Sequence, residues 1–188
     1  RRHRARAETV AEAVAEAAPA TADGVRGTVL GLQLGAGIAE DYAGSEPVLV
    51  GSLKASVVFL ADLTRALPIL HNIDFVELAG YGSDQTGGSS AIRFIKDLDM
   101  SIEGRDVLIV EDVVDTGLTL NYLVRTFRLR APHSLAAVTF LDRPYRRLVE
   151  DLPVRYVGFT VPDELFVGYG FDLDERCRRR RRRPARPR

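Results

Sequence analysis

Short, continuous apolar runs alternate along this chain with segments whose apolar positions recur every three or four residues. The first kind predicts buried strands and the second amphipathic helices. TVLGLQLGAGIAEDYAG (28–44) has helix-compatible spacing, weakened by Gly31, Gly35 and Gly37. PVLVGSL (47–53) reads as a short buried strand, and ASVVFLADLTRAL (55–67) as an amphipathic helix ended by Pro68. NIDFVELAGYG (72–82) is a strand running into the polar segment SDQTGGSS (83–90), which has no core-forming pattern. AIRFIKDLD (91–99) resumes a strand, and EGRD (103–106) turns the chain. VLIV (107–110) is a β-branched run suited to a central parallel strand, followed by the helical TLNYLVRTFRL (119–129). SLAAVTFLD (134–142) and VRYVGFTV (154–161) are further strands. This order predicts an α/β domain: a central, mostly parallel sheet flanked by helices, built from right-handed βαβ crossovers.

The ends read differently. Residues 1–27 are basic and Ala-rich, with a short Ala/Glu helix expected over 8–18, punctuated by Pro19 and Gly24. Order is expected to begin near Thr28, so residues 1–27 form a flexible extension, 28–176 the folded domain and 177–188 a disordered arginine-rich tail. A chain of 188 residues with 46% hydrophobic content fits one such domain with a real core. Basic and acidic residues balance at 26 each, so no overall charge points to a polyanionic partner. The run of arginines over 178–183 leaves nucleic acid open through charge alone, but a solvated tail is the favoured reading. No aromatic residue interleaves with it, so base stacking is not expected. No apolar run reaches the roughly 20 residues that span a membrane, and no secretory pattern opens the chain. The single cysteine, Cys177, excludes an internal disulfide and agrees with a reducing cytosol, so a cytoplasmic location is expected. Lysine occurs only at Lys54 and Lys96, which marks both for inspection.

Candidate chemistry concentrates after VLIV, where the chain reads Glu111-Asp112-Val113-Val114-Asp115-Thr116-Gly117-Leu118-Thr119 and is expected to turn from strand to helix. In open α/β sheets, ligands bind outside the carboxyl ends of the strands. Thr116, Gly117 and Thr119 can present N–H groups and hydroxyls at a helix N-terminus, a phosphate cradle. The Walker spacing of glycines and lysine is missing. Two adjacent carboxylates suit the hydroxyls of a sugar, or a magnesium ion that keeps most of its waters. The third, Asp115, points back toward the bond being made. An acidic, glycine-containing turn of this kind also serves simply to cap a helix.

VLIVEDVVDTGLTL resembles the phosphoribosyl pyrophosphate (PRPP) motif of type I phosphoribosyltransferases. PVLVGSLKASVVFLADLTRAL, GYGSDQTGGSSAIRFIKDLDMSIEGRDV, FLDRPYRR and VGFTVPDELFVGYGFDLDE narrow the resemblance to the hypoxanthine-guanine phosphoribosyltransferase family, in the right order over about 29–176. The resemblance implies the type I phosphoribosyltransferase fold, with a small hood drawn partly from 28–46 and 143–176. It implies purine salvage: transfer of the 5-phosphoribosyl group of PRPP to N9 of a 6-oxopurine, with Mg2+ and in a homodimer or homotetramer. Glu111 and Asp112 then hold the ribose hydroxyls, directly or through Mg2+. Asp115 is the general base near purine N7. Val113 and Val114 belong to the PRPP stretch, and Thr116, Gly117, Leu118 and Thr119 to its 5′-phosphate loop. Lys54 and Ala55 form the pyrophosphate loop, where the family has a cis peptide. Tyr81 and residues 82–90 form a lid, and Arg147 helps hold pyrophosphate. Arg143 meets the purine 6-oxo group, Leu165, Phe166 and Asp172 line the purine, and Asp172 is also a second magnesium-linked carboxylate. Here Arg143 replaces the family's lysine, Ala55 stands where glycine is usual, and Gly80 where serine is expected. Leu165-Phe166 inverts the usual aromatic-then-aliphatic order. Two rival readings on the same fold stay open: an RNA-binding regulator of the pyrimidine-operon attenuator type, and a degenerate nucleotide-binding paralogue.

Overall fold

The computed structural model of the chain describes residues 8–9, 26–79, 92–162 and 166–171. Their elements, in order, are β1 (Glu8–Thr9), α1 (Arg26–Asp41), β2 (Val48–Leu53), α2 (Val57–Ala66), β3 (Asn72–Ala79), β4 (Arg93–Lys96), β5 (Asp106–Val114), α3 (Leu118–Arg128), β6 (Ser134–Asp142), a 3-10 turn (Pro144–Arg146), β7 (Val154–Thr160) and β8 (Phe166–Val167). Six strands form one sheet in the order β4-β3-β2-β5-β6-β7. Every pairing in it is parallel except that of the edge strand β4 with β3. A second, two-stranded sheet pairs Glu8 with Phe166 and Thr9 with Val167. Glu8 and Thr9 were expected to begin an Ala/Glu helix, but the backbone of Phe166–Val167 offers them strand partners instead; the remainder of 8–18 lies outside the described residues.

The helices cover both faces because the central strands are apolar on both. Val107, Leu108, Ile109 and Val110 are all fully buried. Leu108 and Val110 face α1 and α2, packing with Ile38, Phe59 and Leu63. Val107 and Ile109 face α3, packing with Leu120, Leu123 and Phe127. The spacing of those α3 residues is the three-and-four repeat of a one-sided helix. Each such buried side chain contributes about 1.5–3 kcal/mol by leaving water.

Two features differ from the sequence expectation. Helix α1 is continuous despite its glycines and starts at Arg26, two residues before Thr28. Gly35 explains part of this, because a Cβ there would sit 2.6 Å from the Ala66 carbonyl oxygen. The small residue lets α1 close onto the end of α2, and that packing outweighs its poor helix propensity. Strand β5 also continues past VLIV. Glu111 pairs with Thr139, Val113 with Leu141 and Val114 with Asp142. Strand β6 runs alongside for the whole length and satisfies this backbone, overriding the turn-like composition.

The segment returning from residues 80–91 is pinned by a buried acid. Asp74 is 4% exposed, and it accepts hydrogen bonds from the backbone N–H groups of Phe75, Asp99 and Met100 at 2.7, 2.8 and 3.1 Å. Lys96 lies 3.5 Å from Asp74 and 3.0 Å from Asp99, and its hydrogen bond to Asp99 pushes its pKa up. One of the two lysines marked in the sequence is therefore structural.

Strand order fixes where a ligand can sit. From β2 the chain crosses to β3 on one side, and from β5 it crosses to β6 on the other. The connections leaving these two neighbours diverge, which opens a crevice at their carboxyl ends.

Candidate active site

Three connections meet at that end of the sheet: 54–56 after β2, 115–117 after β5 and 143–153 after β6. The first carries Lys54 and Ala55, the second the acidic and hydroxyl-bearing residues, and the third the arginines. The Leu53–Lys54 peptide bond is cis, as the resemblance implies. Among the described non-glycine residues only Ala131 and Tyr169 have positive φ. Ala55 therefore stands in ordinary backbone, with no conformational penalty for replacing glycine.

Glu111 lies on β5 beside β2 and is 5% exposed. Its Oε1 is buried without a hydrogen-bond partner. Burial, reinforced by the neighbouring Asp112 charge and opposed by a hydrogen bond from Ser52, pushes the carboxyl well above the usual range. A buried acceptor left open beside a second carboxylate has the chemistry to take a sugar hydroxyl or a hydrated divalent ion. Among the described residues no three side chains of ligating type gather as a metal site by themselves. Asp172, the third expected carboxylate, lies outside them.

Asp115 follows β5 directly. Its Oδ2 accepts a hydrogen bond from Arg143 Nη1 at 3.2 Å. Its Oδ1 is buried with no hydrogen-bond partner and has Arg146 Nε at 3.6 Å. One oxygen is thus oriented by a hydrogen bond from Arg143, while the other accepts none and is ion-paired with Arg146. Arg146 was not anticipated from sequence. It sits three residues after Arg143 across the 3-10 turn, where side chains i and i+3 eclipse, so the RPYRR run carried a usable signal. Arg147 does not point alone into the site: it forms a close ion pair with Asp142.

The loop before α3 is compact. Gly117 caps the helix in the left-handed conformation, at φ 83°. Thr116 Oγ1 accepts from Leu118 N at 3.4 Å, and the Thr116 carbonyl accepts from Leu148 N at 2.9 Å. Leu118 is half-buried and Thr119 exposed at the start of the helix. A Cβ on Gly117 would meet Leu152 Cδ1 at 2.6 Å and Arg147 Cδ at 3.3 Å. Gly117→Ala is therefore expected to lose about 1–3 kcal/mol of stability, from left-handed strain plus displacement of Leu152. Thermal unfolding measures it, and an unchanged Tm would show that the cap tolerates a side chain.

The structure brings Lys54, Ala55, Glu111, Asp112, Asp115, Thr116, Gly117, Arg143 and Arg147 to one end of the sheet. Val113 and Val114 are core residues of β5, packed on opposite faces. Phe166 belongs to β8. Tyr81, Leu165 and Asp172 lie outside the described residues. A cavity of about 390 Å3 touches Asp142 and Arg147 on the β7 side. Another, of about 360 Å3, lies at the amino ends of β6 and β7 around Tyr42, Ser134 and Arg155, away from this chemistry.

Comparison with known proteins gives a consistent result. Residues 33–174 match the family described as phosphoribosyl transferase domain. The chain is 48% identical over 148 residues to the hypoxanthine phosphoribosyltransferase of Salmonella typhimurium, covering 78% of this chain and 82% of that relative. It is 44% identical over 146 residues to the hypoxanthine-guanine phosphoribosyltransferase of Bacillus subtilis, covering 78% and 80%. The crystal structure of a hypoxanthine-guanine phosphoribosyltransferase from Bacillus anthracis, with HEPES in its active site, superposes with a TM-score of 0.75 at 40% identity, covering 81% of this chain and 89% of that one.

Proposed function

This chain belongs to the phosphoribosyltransferase family, in its hypoxanthine and hypoxanthine-guanine branch, and from that premise we propose that it transfers the 5-phosphoribosyl group of PRPP to N9 of a 6-oxopurine, releasing pyrophosphate. The observation that carries this reading is Asp115, with one oxygen held by Arg143 and the other buried, accepting no hydrogen bond and facing the Arg146 charge. A carboxylate so oriented can take a proton from the purine and face the positive charge that grows at the anomeric carbon as pyrophosphate departs.

The other residues divide the work. Glu111 and Asp112 hold the ribose hydroxyls, and the open Glu111 oxygen fits that task. Thr116, Gly117, Leu118 and Thr119 cradle the 5′-phosphate at the start of α3. Lys54 and the Ala55 backbone take the pyrophosphate. Glu111, Asp112 and Asp172 are the residues that would hold Mg2+, which supplies charge neutralisation of the pyrophosphate when bound. Arg143, set beside Asp115, presents a guanidinium whose donor chemistry suits the 6-oxo group. Tyr81 belongs to the lid, and Leu165 and Phe166 to the purine wall. Arg147, engaged with Asp142, orders the 143–147 turn and approaches pyrophosphate only by changing partner. We take the folded unit to extend to about residue 176 from the start of α1 at Arg26, with Glu8–Thr9 added through β8, in a homodimer or homotetramer located in the cytoplasm. No described helix is long and apolar enough to cross a membrane.

The RNA-binding and degenerate readings gain nothing, since Asp115 keeps its carboxylate and close relatives carry enzyme names. The test is turnover with PRPP, Mg2+ and each of hypoxanthine, guanine, xanthine and adenine. Turnover is expected with 6-oxopurines and not with adenine, because a 6-amino group offers a donor to a donor-only guanidinium. Equal turnover of adenine, or none with any base, would overturn the reading.

A further inference from the structure

We propose that Tyr169 is a positioning residue for the Lys54–Ala55 loop, acting through a turn that clamps this loop to the helix that follows it. The proposal rests on the reading that this loop takes pyrophosphate. Residues 168–171 form a tight turn, closed by Gly168 N to Phe171 O at 3.0 Å and Phe171 N to Gly168 O at 3.1 Å. Three consecutive residues in it have positive φ: Gly168 at 93°, Tyr169 at 54° and Gly170 at 99°. Glycine adopts this conformation freely, but tyrosine does so only where its surroundings hold it.

Two attachments hold it. The Tyr169 hydroxyl donates to Asp62 Oδ2, on α2, at 2.6 Å. The Tyr169 ring stacks on Phe140 with centroids 4.5 Å apart, and Phe140 packs in turn on Phe59 of α2 at 5.4 Å. Burial, then the Asp62 hydrogen bond, pushes the phenol pKa up, so the hydroxyl remains a donor. The next residue, Gly170, lies against the loop itself, since a Cβ there would overlap the Ala55 carbonyl oxygen. One turn thus touches the loop through Gly170 and grips the helix after it through Tyr169. The loop can shift outward only by driving Gly170 away, which the Asp62 bond and the Phe140 stack resist. Groups that bind a leaving group must be held to a fraction of an ångström to be effective; the loop is tied from within by Ser56 Oγ to Ser52 O at 2.6 Å and Val57 N to Lys54 O at 3.4 Å, and the turn adds a hold from outside it.

Tyr169→Phe keeps the ring and its stack and removes only the hydroxyl. Amide hydrogen exchange at residues 54–56 is expected to accelerate, with KM for PRPP rising about tenfold. The purine KM should stay near the parent value, and Tm should fall only by what one lost hydrogen bond costs. Asp62→Ala should reproduce this pattern, the double variant should be no worse than either, and Asp62→Asn, which keeps an acceptor, should restore it. A purely structural tyrosine would instead shift both Michaelis constants together, which would overturn the proposal. Unchanged exchange at 54–56 would overturn the clamp whatever the kinetics. Lys54→Ala separates the two readings. If it leaves the PRPP KM unchanged while exchange accelerates in Tyr169→Phe, the assignment of the loop to pyrophosphate fails and the clamp stands.

Discussion

Asp115→Asn is expected to lower kcat by about 10²- to 10⁴-fold, the usual contribution of a positioned acid–base group, while the KM for PRPP changes little. The asparagine fits the same space and can still accept one hydrogen bond from Arg143. It cannot carry the negative charge that the purine proton and the growing positive charge on the sugar both require. A modest loss of stability should accompany the kinetic effect. The Arg143 side chain is 11% exposed and loses its anionic partner, but Asp115 itself is 31% exposed, so solvent screening holds the cost to about 1 kcal/mol. Steady-state kinetics with saturating PRPP, together with thermal unfolding, separates the two effects. A kcat within threefold of the parent would remove Asp115 from its assigned role. A rise in PRPP KM matching the fall in kcat would move it from chemistry to binding.

The sequence signals that worked were local. VLIV and SLAAVTFLD are continuous apolar runs because both faces of β5 and β6 are covered, and Leu120, Leu123 and Phe127 repeat at helical spacing because α3 buries one side. EDVVDTG marked the right end of the right strand. What the sequence left illegible depends on neighbours far along the chain. The extension of β5 through Val114 needs β6 beside it, and nothing in Glu111-Asp112-Val113-Val114 announces that partner. The same pairing takes Glu111 out of water, so its burial and raised pKa could not be read from an acidic stretch that looks like a turn. Tyr169 and Asp62 are 107 residues apart in sequence, and a lone tyrosine and a lone helical aspartate carry no mark of each other. Arg147 matched a binding residue by position, yet its geometry commits it to Asp142. Gly35 read as weakening its helix because propensity is a property of the isolated segment, whereas the close approach to Ala66 belongs to the packed fold.

Glu111→Gln separates stability from function at the same site. The folded chain holds the Glu111 proton more tightly than the unfolded chain, because burial raises the carboxyl above its ordinary value of 4.5. Where the folded state binds more protons, stability falls as pH rises. The contribution of Glu111 is therefore most favourable below the unfolded pKa, and is lost as pH climbs from there through the folded value. Glutamine removes this titration while keeping the shape and a hydrogen-bonding group for Ser52. The variant should match the parent near pH 4 and become progressively more stable than it toward neutral pH, in Tm measured across that range. Affinity for PRPP should move the other way. A neutral amide cannot ionise against the ribose hydroxyls or a divalent ion when they bind, as the carboxyl can, a loss of about 10- to 100-fold. A site that destabilises its own fold in order to keep an ionisable group in reach of substrate shows this opposition of stability and activity. A Tm difference that does not change with pH would show that Glu111 does not titrate as its burial requires. Unchanged PRPP affinity would show that its open oxygen faces no part of the substrate.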